Sequence, residues 1–287
     1  DLKDDDLLAA VECARVSTDR DATRYEESRQ RLRNASITLA RLRSAPVGTR
    51  VDCLRAESEI ADVSRDYPTA LARLEEARKL LEGAGITKGL QYNAVLTDIG
   101  GVYFRTARYR EALELNLQTS EALDRNGRGG TIAKVTVTQN RASLLFRLGE
   151  VRRSQAVGVE AMRRMQSLRG DQPATPQLAV SYSITLNRLG RTGEATDLLS
   201  AAREQARTLG STTWNALASY HLGRSLLIAG KTDGAQKYLD ESRALWYANE
   251  AANRDRIADL LKTLAELELA RGNVPEAVRQ IDEALTR

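Results

Sequence analysis

A chain of 287 residues with 42% apolar and 29% charged side chains can bury a sizeable core, which excludes a disordered polypeptide. Its longest apolar runs fall well short of the roughly 20 residues that a membrane-spanning helix needs, so no membrane insertion of this stretch is expected. The formal charge of +4 comes from interleaved acids and bases in which Lys supplies only seven of 43 cations, and this mild, Arg-rich balance argues against nucleic acid as a partner. The chain starts at Asp1 with neither Met nor an apolar leader, so it is expected to be part of a longer chain.

Five Pro and two Phe, against abundant Ala, Leu, Arg and Glu, favour helix over strand throughout and predict an all-α fold. Taken in chain order, residues 1–47 read as an N-terminal helical pair, a degenerate repeat in which Tyr25, Ser28, Leu32 and Ala35 fall roughly in step with Tyr67, Ala70, Leu74 and Ala77. Residues 48–287 are expected to form six repeats in one continuous solenoid. Six residues mark the turns: Arg65, Ala107, Gly149, Gly190, Gly230 and Gly272, spaced by 42, 42, 41, 40 and 42. Seven residues before each marker stand Ser58, Gly100, Ala142, Ser183, Gly223 and Ala265; five after it stand Ala70, Ala112, Ser154, Ala195, Ala235 and Ala277. A further small column, twelve after the marker, holds Ala77, Ala161, Ala202, Ser242 and Ala284, with Ser120 one place later in its repeat.

Two helices joined by a tight turn approach to about 8–10 Å only where the side chains at the crossing are small. The small columns therefore mark crossings, and large apolar residues between them fill the space: Tyr103, Leu145, Leu186 and Leu226 before the markers, Leu74, Leu199, Leu239 and Ile281 after them. The four marker glycines suit a left-handed helix end, Asp66 and Asn273 can cap the next helix, and Pro68 and Pro275 suit its first turn. Asn126–Thr131 and Gly170–Gln177 read as loops between repeats, the second ending in a Thr175 cap.

The stretches "LFRLGEVRRSQAVGVEAM", "LNRLGRTGEATDLLSAA", "LLIAGKTDGAQKYLDES" and "LELARGNVPEAVRQIDEAL" resemble tetratricopeptide (TPR) repeats, with a period of 40–42 rather than 34 residues as in long-helix bacterial variants and kinesin light chains. The resemblance implies a right-handed superhelix of stacked antiparallel pairs, with the first helix of each pair on the concave face.

Catalytic chemistry finds little support. His221 is the sole histidine, which excludes a His-based metal cluster or a two-histidine mechanism within the chain, and a packing role is expected for it. The stretch "GRGG", residues 127–130, lacks the Lys and hydroxyl of a phosphate loop, Glu75 and Glu76 sit where helices meet solvent, and Asn34-Ala35-Ser36 matches a glycosylation sequon by chance. Neither catalytic residues, metal nor cofactor is expected. Cys13 and Cys53, 40 residues apart, fall at similar heights on successive first helices, where a disulfide and a pair of buried thiols both fit. A cytoplasmic location is the default, and a bridge would indicate a periplasmic or other extracytoplasmic one.

The inward face supplies the candidate binding residues. Arg105, Arg147 and Arg188 occupy one column, two places before three consecutive markers, and Phe104, Gln139, Phe146, Asn187, Tyr220 and Arg224 lie nearby. Guanidinium groups beside aromatic and amide side chains suit an acidic peptide or a terminal carboxylate, while pairing of these arginines with acids of the fold is the alternative. The expected function is a protein–protein interaction scaffold that binds a peptide or partner segment in its groove. The competing expectation is a sensory or regulatory repeat module of a larger bacterial signalling protein, a serine/threonine kinase or a transcriptional regulator.

Overall fold

The computed structural model describes residues 7–14, 25–41 and 46–286, which are helical with no strand among them. They group into two compact units, Asp1–Gly129 and Gly130–Arg287. The first unit contains α1 (7–14), α2 (Tyr25–Arg41), α3 (Val47–Val63), α4 (Tyr67–Gly83), α5 (Leu90–Arg105) and α6 (Tyr109–Arg125). The second contains α7 (Ile132–Arg147), α8 (Val151–Arg169), α9 (Pro176–Arg188), α10 (Thr192–Thr208), α11 (Thr212–Ile228), α12 (Thr232–Tyr247), α13 (Glu250–Ala270) and α14 (Val274–Leu285). Within each unit the helices pack as consecutive pairs, and each second helix of a pair also packs on the first helix of the next. This is an α-solenoid of stacked helix pairs. The connection expected within the N-terminal pair, residues 15–24, and the side chain of Tyr25 lie outside the described residues.

Six turns close the pairs in the same way. The residue after each marker donates its N–H to the carbonyl five residues earlier: Asp66 to Ala61, Arg108 to Tyr103, Glu150 to Leu145, Arg191 to Leu186, Lys231 to Leu226 and Asn273 to Glu268, at 2.8–2.9 Å. That bond demands left-handed backbone at the marker, and all six have φ between 59° and 81°. Arg65 and Ala107 adopt it while carrying a Cβ, at a cost of roughly 1–2 kcal/mol. The Asp66 carboxylate caps α4 by accepting from the Thr69 N–H at 3.2 Å, and Thr175 caps α9 by accepting from Leu178. Asn273 stands at the cap position but its side-chain oxygen accepts no hydrogen bond from the α14 backbone, while its amide N–H donates to Glu268 at 2.8 Å.

Every residue of the small columns is buried except Gly100, which is half-buried. At one crossing the Ser154 hydroxyl donates to the Ala142 carbonyl at 2.8 Å, joining the two columns directly. At another, a Cβ added to Gly223 would stand 2.7 Å from Leu239 Cγ and 3.2 Å from the Ala235 carbonyl oxygen. Gly158 of α8 likewise admits the Tyr182 ring of α9, whose Cδ2 would lie 2.5 Å from an added Cβ. Small residues are thus required by volume.

Ile281 departs from the expected core. Leu74, Leu199 and Leu239, at the same place after their markers, are 0–1% exposed because α5, α11 and α13 cover them, whereas Ile281 is 38% exposed and no described helix follows α14. At the other end, Cys13 of α1 and Cys53 of α3 form a disulfide with Cα atoms 4.9 Å apart, buried among Ala9, Leu32, Ala35 and Ala56.

Candidate functional site

Successive first helices in each unit are linked by polar side chains one repeat apart, and the candidate residues must be placed against those links. In the first unit the links carry charge. Arg55 of α3 donates to Asp98 of α5 at 2.7 Å, Gln91 of α5 donates to Asp52 of α3 at 3.1 Å, and the Arg105 guanidinium at the end of α5 pairs with Asp62 of α3. Burial pushes the Asp62 carboxyl above its ordinary range, and the neighbouring Arg105 only partly offsets this. Arg105 is therefore engaged with an acid of the preceding repeat. Phe104 packs edge-on against Tyr109 across the turn, with ring centroids 5.5 Å apart.

In the second unit the corresponding links are neutral. Gln139 of α7 donates to Ser181 of α9 at 2.9 Å, Asn187 of α9 donates to Ser225 of α11 at 2.8 Å, and the Tyr220 hydroxyl of α11 lies 3.1 Å from Thr263 of α13. Tyr220 is 7% exposed, its ring packs against Trp246 and His221, and burial raises its hydroxyl pKa. These three side chains tie the repeats together, so they face one another more than they face open solvent.

What remains on the surface is cationic. Arg147 and Arg188 are exposed at the ends of α7 and α9, and Phe146 beside Arg147 is half-buried. Arg224 is half-buried on α11, with its guanidinium 5.8 Å from the centre of the Tyr220 ring. Among the described residues, the ion pairs include none from Arg188 or Arg224 to a carboxylate. His221 keeps part of its surface accessible, yet the surrounding protein and then Arg224 push its pKa down to about 3, so it is neutral at physiological pH. A neutral histidine leaves the local positive charge to arginine alone.

Ser181, Ser225, Thr263 and Asp62, the partners of the candidate residues, are not among those that the sequence singles out. The signal present was a hydroxyl nine residues before a marker, at Ser181 and Thr263. Among the described residues no group of three or more His, Cys, Asp or Glu could hold a metal ion, and no helix is long and apolar enough to cross a membrane.

No protein-family model matches this chain, nor does any curated protein sequence. Solved structures do. A Rap protein complexed with competence and sporulation factor is similar over 97% of this chain and 76% of that one, with a TM-score of 0.71 and 15% identity. The Rap conjugation gene regulator of the plasmid pLS20, in complex with the Phr* peptide, is similar over 98% and 94%, with a TM-score of 0.65 and 10% identity. The kinesin light chain TPR-like repeats from Podosopora anserina are similar over 71% and 95%, with a TM-score of 0.53 and 18% identity. These likenesses bear on fold, and the fold of this chain is that of TPR-like repeat proteins.

Proposed function

We propose that this chain is a protein-interaction scaffold whose second unit binds an acidic or carboxylate-terminated partner segment along the face of its first helices. The observation that carries the reading is that Arg188 and Arg224, on consecutive first helices, have no carboxylate partner among the described residues, while Gln139, Asn187 and Tyr220 beside them each make a neutral bond to the next first helix. Arg147 and Phe146 extend the site toward α7. Arg105 and Phe104 contribute less, since the charge of Arg105 is already balanced by Asp62. A shared fold with a regulator solved in complex with a peptide supports a peptide as the partner.

The test is a titration of acidic peptides with free C-termini against the wild-type chain and the Arg188→Ala/Arg224→Ala double variant. Binding should weaken by more than about 2 kcal/mol in the variant, since each charged hydrogen bond contributes roughly 1.5–3 kcal/mol before losses. Wild-type binding should also weaken as salt rises, and Arg105→Ala should have a smaller effect than either substitution in the second unit. Affinity unchanged by the double substitution would remove the site.

A second reading, a regulatory module of a larger signalling protein, is favoured by one neighbour being a conjugation gene regulator. It uses the same site and differs in that binding would alter the output of an attached domain. The Cys13–Cys53 bridge favours an oxidising compartment over the cytoplasm. Freely alkylatable thiols in protein from the native source would reverse that assignment.

A further inference from the structure

The Asn187 amide of α9 donates to the Ser225 hydroxyl of α11 at 2.8 Å, and that hydroxyl donates in turn to the His221 carbonyl at 2.9 Å. Asn187 and Ser225 therefore mark where these two first helices face each other. α9 and α11 run in the same direction, each antiparallel to α10 between them. A helix turns by about 100° per residue with a fixed hand. The residue after Asn187 and the residue before Ser225 consequently point to the same side of the junction, and they are Arg188 and Arg224. Their axial offset is about 3 Å, two helical rises.

This side of the junction is cationic without compensation. α9 and α11 contain no Asp, Glu or Lys, and Arg188 and Arg224 are the only arginines on them. Arg188 is exposed and Arg224 half-buried, and neither pairs with a carboxylate among the described residues. Asp259 and Glu266 of α13 act on the Tyr220 hydroxyl, and Asp259 pairs with Lys262 at 3.4 Å. His221, one turn before Ser225, is neutral at physiological pH, so both positive charges here belong to guanidinium groups.

Two guanidinium forks on one side of a junction suit a particular anion. A carboxylate has two oxygens, which a single fork satisfies. A phosphomonoester has three terminal oxygens and a charge of about −1.5 to −2, so it engages both forks at once. We infer that the α9–α11 junction is a phosphate-reading site, at which Arg188 and Arg224 together hold the phosphomonoester of a phosphorylated partner segment. The inference rests on the binding face proposed above and narrows its ligand from an acidic group to a dianionic one. The backbone N–H groups of both helices are used within the helices, so the site offers side-chain donors only. A free phosphate ion would have a fourth oxygen to satisfy, whereas in a phosphorylated side chain that oxygen is the ester link.

The probe is the peptide Ala-Ala-phosphoserine-Ala-Ala with both termini blocked, titrated into the full 287-residue chain beside a twin carrying Glu in place of phosphoserine. Binding is read from the arginine Nε–Hε resonances of the nitrogen-15-labelled protein. The phosphopeptide should bind about tenfold tighter than the Glu twin. Arg188→Ala and Arg224→Ala should each bring it down to the level of the Glu twin, because one remaining fork no longer distinguishes the two anions. Arg224→Gln keeps the stem beside Tyr220 and gives the same loss should the alanine disturb the fold. Equal affinity for the two peptides overturns the inference while leaving the broader acidic-segment reading in place. A preference for phosphate that survives either substitution puts the phosphate elsewhere and overturns it too. So does the absence of saturable binding by either peptide, after which the acidic peptides with free C-termini decide the broader reading. Inorganic phosphate that binds as tightly as the phosphopeptide assigns the site to the free ion and overturns the segment as its source.

Discussion

The two units solve one problem in two ways. Successive first helices must be tied across a repeat, and the first unit does it with Arg55–Asp98 and Arg105–Asp62 ion pairs, the second with Gln139–Ser181, Asn187–Ser225 and Tyr220–Thr263 hydrogen bonds. Where arginine is used for the tie, its charge is spent inside the fold. Where amides and hydroxyls do the tying, Arg188 and Arg224 at neighbouring positions make no ion pair to a carboxylate among the described residues. The difference teaches that an inward arginine column cannot be read as a binding site until its acids have been located.

The disulfide gives the widest separation between the units. It closes a loop of 40 residues in the first unit, so Cys13→Ser/Cys53→Ser should cost about 4 kcal/mol, a chain-entropy figure for a loop of that length. Hydrogen exchange should show the loss in α1–α3 with the second unit unchanged. A uniform loss of protection in both would mean that the two do not respond independently.

Overpacking a crossing should do the converse. Ala235→Leu or Ala195→Leu, each at a position with no exposed surface, should cost about 1–3 kcal/mol and act chiefly on the second unit. Unchanged unfolding midpoints would mean that the crossings lie elsewhere.

Acid should distinguish the units by sign. His221 has its pKa lowered from 6.5 to about 3, so between those values the unfolded chain holds more protons than the folded one. Stability of the second unit is therefore lost as pH falls below 6.5, by at most about 1 kcal/mol per pH unit given the partial exposure of the ring. Asp62 works oppositely: its raised pKa lets the folded first unit take up a proton more readily than the unfolded chain, so falling pH relieves the burial of that carboxylate. Urea midpoints between pH 7 and pH 5 should fall for the wild type and fall less for His221→Gln.

The smallest effect is expected at the turns. The second unit has glycine at all four of its markers, whereas the first has Arg65 and Ala107 at φ of 60° and 59°. Arg65→Gly and Ala107→Gly should each stabilise by about 0.5–1 kcal/mol, the strain relieved less the entropy glycine loses on folding. Gly149→Ala should destabilise by a similar amount.

Most of the fold was legible in the sequence because its rules are local and repeated. A left-handed residue must end each first helix and a small residue must stand at each crossing, so six copies expose both rules even where Arg65 and Ala107 break the glycine pattern. The candidate site was less legible. Gln139, Asn187 and Tyr220 lie on first helices as expected, but nothing in the sequence tells whether an amide or hydroxyl on that face meets a ligand or the next helix. That choice depends on the axial offset between neighbouring helices, which moves a side-chain tip by several ångströms without altering any column. Ile281 shows the other limit, since its column encodes a core residue and only the absence of a covering helix among the described residues exposes it.

The ties between helices also bear on how the chain is made. Among the described residues, the hydrogen bonds that join one repeat to the next reach no further than 43 positions, as from Arg55 to Asp98. Contacts this local close quickly, because little loop entropy is lost before they form. On the ribosome each helix pair can therefore dock as soon as the following forty or so residues have emerged, at roughly 5–20 residues per second, well before the chain is complete. Among the described residues, no hydrogen bond between repeats requires a distant segment to be awaited during synthesis.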